Sequence, residues 1–166
     1  EGKRVGVIDT DILSPGIHVL FGLKEEGIKY ALNDYIWGRC KIEDTAYQVG
    51  QNGNLYLIPS SIQIGEITRI LREGYDSALL NRGFQQLIEE LALDILLIDT
   101  HPGVNEETLL SIAFSDTLII ILRPDQQDYQ GTGVTVKVAR KLEVPDSYKA
   151  VELAARLSET YQSEVA

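Results

Sequence analysis

The sequence predicts a doubly wound α/β fold, a mostly parallel sheet flanked by helices, and two features carry that expectation. Residues 94–99 and 117–122 are continuous apolar runs rather than alternating ones, the pattern of strands covered on both faces within a parallel sheet. Strand-like runs also alternate with segments of helical period, which supplies the crossovers that parallel strands need. The order along the chain fills in that frame. Arg4-Val5-Gly6-Val7-Ile8-Asp9 is a short apolar run ending in acid, and a compact, partly helical block follows at 15–23. Periodicity is weak over 24–53, where a helix is expected near 31–37 and a strand near 45–49, ahead of the turn Gln51-Asn52-Gly53-Asn54. Residues 55–59 form a buried-type strand, and Ile64, Ile67, Ile70 and Leu71 then repeat at helical spacing up to Gly74, a helix stop. A longer helix over 76–92 carries Leu79, Leu80, Phe84, Leu87, Ile88 and Leu91 on one stripe. Further helices are expected at 105–114, 128–142 and 147–163, the last with Val151, Ala154, Leu157 and Tyr161 on one face. No repeat or linker divides the chain, so residues 1–166 read as a single domain.

Composition narrows the function classes. A chain of 166 residues can bury a core without disulfides or a structural metal, and its apolar fraction of 44% with 24% charged residues is ordinary globular usage. The longest apolar runs are far too short to span a bilayer, and the terminal helix carries Lys149 and Arg156 against Glu152, Glu159 and Glu164, which is not a basic membrane anchor. A formal charge of −10 argues against a broad phosphate-tracking surface and hence against direct nucleic-acid binding. The lone Cys40 excludes an internal disulfide and suits a reducing, cytoplasmic setting. The chain contains no methionine and begins at Glu1, from which we expect a piece of a longer protein.

Two apolar strands end in aspartate, at Ile8-Asp9-Thr10-Asp11 and at Leu97-Ile98-Asp99-Thr100-His101-Pro102-Gly103. The carboxyl ends of strands line the ligand crevice of an open α/β sheet, so both acids are expected at one rim. Carboxylates gathered there repel one another unless a cation compensates, and Mg²⁺ is the economical choice because it is held through few carboxylates together with waters and phosphate oxygens. A single strand-end Asp reads equally as a loop or helix cap. The pair of them in this fold context is what points to a site.

The run from Gly2 to Asp11, with Ser14-Pro15-Gly16 and Leu20-Phe21-Gly22-Leu23, resembles the strand and switch I segment of MinD/ParA ATPases. Residues 96–103 are similar to the Walker B strand and switch II of that family, and the blocks from Thr108 to Ala113 and from Arg123 to Asp128 continue the likeness. It covers roughly residues 2–145. The resemblance implies a P-loop NTPase-like fold using ATP and Mg²⁺ as a dimerising nucleotide switch, in cell division or in chromosome or plasmid partitioning. It implies that Asp11 orients the attacking water, that Asp9 and Asp99 hold the Mg²⁺ shell, and that Thr100 and Gly103 belong to the nucleotide-binding switch, with the Gly103 backbone N–H facing the γ-phosphate. Expected partners are a second copy of the chain and a regulatory or cargo protein. His101 stands where the wider family often has proline, and reads as a group that supports the site or faces solvent. His18 reads as packing on the short helix after switch I, and Arg123 as a surface, dimer-contact or phosphate-facing cation.

Two departures qualify the resemblance. The family cradles phosphate in a glycine-rich loop with lysine at a helix N-terminus, and this chain contains no Gly-Lys-Thr or Gly-Lys-Ser. We therefore expect the fold to be incomplete and ATP binding by these residues alone to be weak. A strand is also expected to be skipped after Val144-Pro145. Three other readings compete: a non-enzymatic protein-binding domain on the same scaffold, a phosphoacceptor receiver domain, which the long separation of Asp9 from Asp99 disfavours, and a metal hydrolase, for which neither His18 nor His101 sits in a ligand-spaced motif.

Overall fold

The structure is a computed structural model that describes residues 2–101, 106–119 and 137. Four strands form one sheet in the order β2-β3-β1-β4, where β1 is Val5–Asp9, β2 Tyr47–Val49, β3 Leu55–Ile58 and β4 Ile95–Asp99. β1 lies between β3 and β4 and runs parallel to both, while β2 folds back antiparallel on β3. The hairpin between β2 and β3 turns at Gly50 and Gly53, whose φ angles of +77° and +69° suit residues without a Cβ. The expected α/β architecture with a mostly parallel sheet is thus present.

One sheet face carries Ile8, Ile58, Leu96 and Ile98 and packs against α2 (Leu32–Ile36), α3 (Ile64–Glu73) and α4 (Ser77–Glu90) through Leu32, Tyr35, Ile36, Ile70, Leu80, Phe84 and Leu87. The other face carries Val7, Val49 and Leu57, covered by Ile17 of α1 (Ile17–Leu20) together with Phe21 and Leu23. Both faces of β1 and β3 are therefore buried, which is why these strands lack polar alternation.

β4 departs from the expectation of burial on both faces. Leu96 and Ile98 pack on the α2–α4 side, but Ile95 and Leu97 are 45% and 44% exposed. The cause lies in register and helix length. Ile95 and Leu97 stand beside Val5 and Val7, on the face that α1 covers, and a helix of four residues is only about 6 Å long. It shields β1 and β3, and no described helix extends over β4.

Local sequence sets the element ends. Asp76 caps α4 by accepting the Ala78 N–H at 2.9 Å, and Gly74 ends α3 at a φ of +65°. Gly83 lets α4 approach Tyr35 closely: a Cβ there would lie 2.8 Å from the tyrosine ring, whose hydroxyl donates to the Leu79 carbonyl at 3.0 Å. That contact centres the buried stripe of α4 on Leu80, Gly83, Phe84 and Leu87. Ile88, expected in the stripe, sits about 80° round the helix from Leu80 and is 41% exposed. In α3, likewise, Ile70 is buried whereas Ile64 and Leu71 face solvent. The start of β1 is tied to the α4–β4 junction by Arg4, which donates to the Leu91 carbonyl and the Tyr56 hydroxyl, and by Asp94, which accepts from the Arg4 N–H and the Lys3 ammonium.

Residues 1–101 form one compact unit and 102–166 a second. Within the second, α5 (Glu106–Phe114) lies where a crossover helix is expected, and its buried Ile112 packs with Leu118. Of the strand expected at 117–122, residues 117–119 are described and are not paired into a sheet. Its remainder, the skipped strand near 145 and the helices at 128–142 and 147–163 lie outside the described residues, apart from Lys137, which is helical. No helix among the described residues is long and apolar enough to cross a membrane.

The packing of α4 predicts a sharp contrast between neighbours. Leu87→Ala should cost about 2–5 kcal/mol and Ile88→Ala less than about 1 kcal/mol, read from urea unfolding midpoints. Equal costs would contradict the orientation of the helix.

Candidate functional site

The site is built by the parallel pairing of β1 with β4, in which Asp9 stands directly beside Asp99. The two strands stay joined past their last residues: the Thr10 N–H and hydroxyl both donate to the Asp99 carbonyl, at 2.8 and 2.7 Å. From β3, the buried Ser60 hydroxyl donates to the Asp9 carbonyl at 2.7 Å, so three strand ends meet at one rim. The N-terminus of α2 reaches the same rim, with the Leu32 N–H on the Pro59 carbonyl and the Asn33 side-chain oxygen accepting from the Ser61 N–H.

Asp9 is 1% exposed and organises the loop that follows it. Its Oδ1 accepts the Asp11 N–H at 3.1 Å, its Oδ2 accepts the Gly16 N–H at 3.2 Å, and the Ile17 N–H also binds it. Burial nevertheless dominates its titration and raises its pKa to about 6, with the charge of Asp99 adding to the effect against those backbone donors. Asp99 is exposed at the end of β4, and its pKa is raised by desolvation and by the charge of Asp11. Asp11 is half-buried. Its Oδ1 accepts the Ser14 N–H at 3.1 Å and lies 2.9 Å from His101 Nδ1. The carboxyls of Asp9 and Asp99 are thus both raised, mainly by desolvation, with a smaller contribution from a neighbouring acid in each case.

The structure thus brings together Asp9, Asp11 and Asp99, with Thr100 half-buried between Asp99 and His101. Gly103 and Arg123 lie outside the described residues. His18 is buried in α1, in keeping with a packing role, and its Nδ1 has no hydrogen-bond partner among the described residues. Among the described residues no group of three or more His, Cys, Asp or Glu side chains is set as a ready-made metal cage. Two groups were passed over by the sequence reading. Thr10 and Ser60 hold the rim through hydroxyls on backbone carbonyls, and their signal in the sequence was their place, one between two acids and the other just past a buried strand.

The titration of Asp9 has a consequence for stability. Its folded-state pKa of about 6 lies above the ordinary 3.8, so the folded protein holds this proton more tightly than the unfolded chain. That stabilisation is complete below the unfolded value and is lost as pH rises through the folded one. Two units correspond to about 3 kcal/mol. In metal-free buffer, the stability of the wild type relative to Asp9→Asn should therefore fall by up to about 3 kcal/mol between pH 4 and 7, and a pH-independent difference would contradict the burial of this charge.

The family model described as an AAA domain, AAA_31, matches residues 1–148. Among curated proteins, an uncharacterised ATP-binding protein of Methanocaldococcus jannaschii is 30% identical over 141 residues, covering 85% of this chain and 49% of that protein. The iron-sulfur cluster carrier protein of Pyrococcus abyssi is 29% identical over 150 residues, covering 87% of this chain and 49% of the relative. The chain spans about half the length of these relatives. Among solved structures, the septum site-determining protein MinD of Pyrococcus horikoshii, complexed with Mg-ADP, superposes with a TM-score of 0.73 at 19% identity, covering 87% of this chain and 55% of that one, a likeness of fold. With an acid-ended parallel sheet and a family match that runs over most of its length, the chain belongs to the MinD/ParA-type AAA_31 family of P-loop ATPases.

Proposed function

We propose that this chain carries the acidic half of a Mg-ATP site in a nucleotide-dependent dimerising switch. The supporting observation is the register that sets Asp9 beside Asp99 with Asp11 on the adjoining loop. The donor set fits magnesium: hard oxygens, from few residues, at a rim where Asp9 and Asp99 are both costly to ionise. An ionised carboxylate offers about four acceptor positions, and three backbone N–H groups already bind Asp9. Asp9 therefore keeps about one contact for the Mg²⁺ shell while holding the loop, and the exposed Asp99 offers the freer oxygens. Bound there, Mg²⁺ supplies charge neutralisation across the phosphate oxygens.

The chain's own residues do the rest. Asp11 orients the water that attacks the γ-phosphorus as the bond to the ADP oxygen breaks, giving ADP and inorganic phosphate. Thr100 and Gly103, one and four residues after Asp99 in the sequence, belong by the family resemblance to the segment that senses the γ-phosphate. Named relatives divide between a septum-site protein and an iron-sulfur cluster carrier. On the family resemblance, we assign this chain to a nucleotide switch that positions a cargo, in division or partitioning, as a homodimer with a regulatory or cargo protein as its client.

Phosphate binding needs more than acids. The 166 residues contain no Gly-Lys-Thr or Gly-Lys-Ser and carry a net charge of −10, so the rim by itself repels a triphosphate. Isothermal titration of these residues with Mg-ATP should give a Kd of about 1 mM or weaker, and micromolar binding would contradict this assignment of the phosphate loop to another segment. In a protein supplying that loop, Asp11→Asn should lower ATP turnover by about 100-fold or more while leaving Mg-ATP affinity within about threefold. Full turnover by that variant would remove Asp11 from the reaction.

A further inference from the structure

We propose that His101 is a positioning residue that fixes the rotation of the Asp11 carboxylate, so that one oxygen is pinned and the other is presented to the attacking water. The inference rests on the assignment of Asp11 above and extends it to a residue with no assigned part in the reaction.

The geometry is specific to one oxygen. Asp11 Oδ1 takes both the Ser14 N–H, at 3.1 Å, and His101 Nδ1, at 2.9 Å. Among the described residues no donor reaches Oδ2. An ionised carboxylate only accepts, so the imidazole nitrogen must carry the proton in this contact. Ser14 lies on the same loop as Asp11 and moves with it, whereas His101 follows β4 and is anchored by the sheet: the Asp99 carbonyl two residues earlier takes both donors of Thr10. His101 is therefore the group that ties the carboxylate to the strand rather than to its own loop. The Asp11 side chain is 17% exposed and that of His101 39%, so water reaches the pair while the contact stays partly shielded. Holding a carboxylate in one rotation matters because misplacement of a water-orienting oxygen by a fraction of its contact distance lowers turnover without altering how substrate is held.

The test exploits the near-coincidence of an asparagine amide nitrogen with histidine Nδ1, and of a glutamine amide nitrogen with Nε2. In a protein supplying the phosphate loop, Mg-ATP turnover is compared for His101→Asn, His101→Gln, His101→Ala and Asp11→Asn, and nitrogen NMR of the nucleotide-free protein reports which ring nitrogen of His101 carries a proton. The expected result is that Ala and Gln lower kcat by about tenfold with KM within about twofold, that Asn keeps kcat within about threefold of wild type, and that Nδ1 is protonated in the wild type. Wild-type kcat in all the His101 variants, or an equal loss in Asn, Gln and Ala, overturns the positioning role while a dead Asp11→Asn keeps the reading of Asp11. A bare Nδ1 in the wild type overturns the hydrogen bond itself. An active Asp11→Asn overturns the reading of Asp11 and the inference with it.

Discussion

The parallel pairing of β1 with β4 is the constraint from which the rest of the site follows. It aligns residue against residue from Val5 beside Ile95 to Asp9 beside Asp99, and the Thr10 donors extend it one residue beyond the strands. A slip of one residue would carry Asp9 to the opposite face from its neighbours and turn Val5 and Val7 out of the core. Burial of Val7 and Ile8 on opposite faces of β1 is therefore what fixes the acids at the rim. Core packing and site geometry are here one requirement.

That requirement has an electrostatic cost. Asp9 lies under the rim with its charge out of water, and its three backbone donors reduce the penalty without abolishing it. The same donors hold the loop from Asp11 to Gly16 close to the strand end, so a group that is unfavourable as a charge serves as a clamp on the backbone. The charge of Asp99 adds to that cost. On the proposed function, a divalent cation would relieve it and order the site.

Much of this was legible in the sequence because it depends on periodicity and strand ends. The short apolar run at 5–9 and the buried-type strand at 55–59 formed strands of the sheet, and Asp76 and Gly74 punctuated the helices where their chemistry suggested. The convergence of Asp9, Asp11 and Asp99 followed from the rule that ligands gather at carboxyl ends of strands. What was not legible depended on tertiary distance. Ile95 and Leu97 read as core but are exposed, because sequence does not say that the helix on their face is one turn long. Ile88 read as part of a stripe whose centre is set by the fit of Gly83 against Tyr35, a contact between residues far apart in the chain. His101 carried a signal only as a departure from proline, and its partner lies 90 residues away.

The most direct measurement of the central claim is paramagnetic broadening by Mn²⁺ with ADP, followed residue by residue in the amide spectrum of the protein. Manganese accepts the same oxygen donors as magnesium. Convergence of the strand-end acids predicts that Thr10, Asp11 and Thr100 lose intensity first. Broadening centred elsewhere, for instance at the exposed acids Glu25 and Glu26, would show that the rim of the sheet is not where the metal is held.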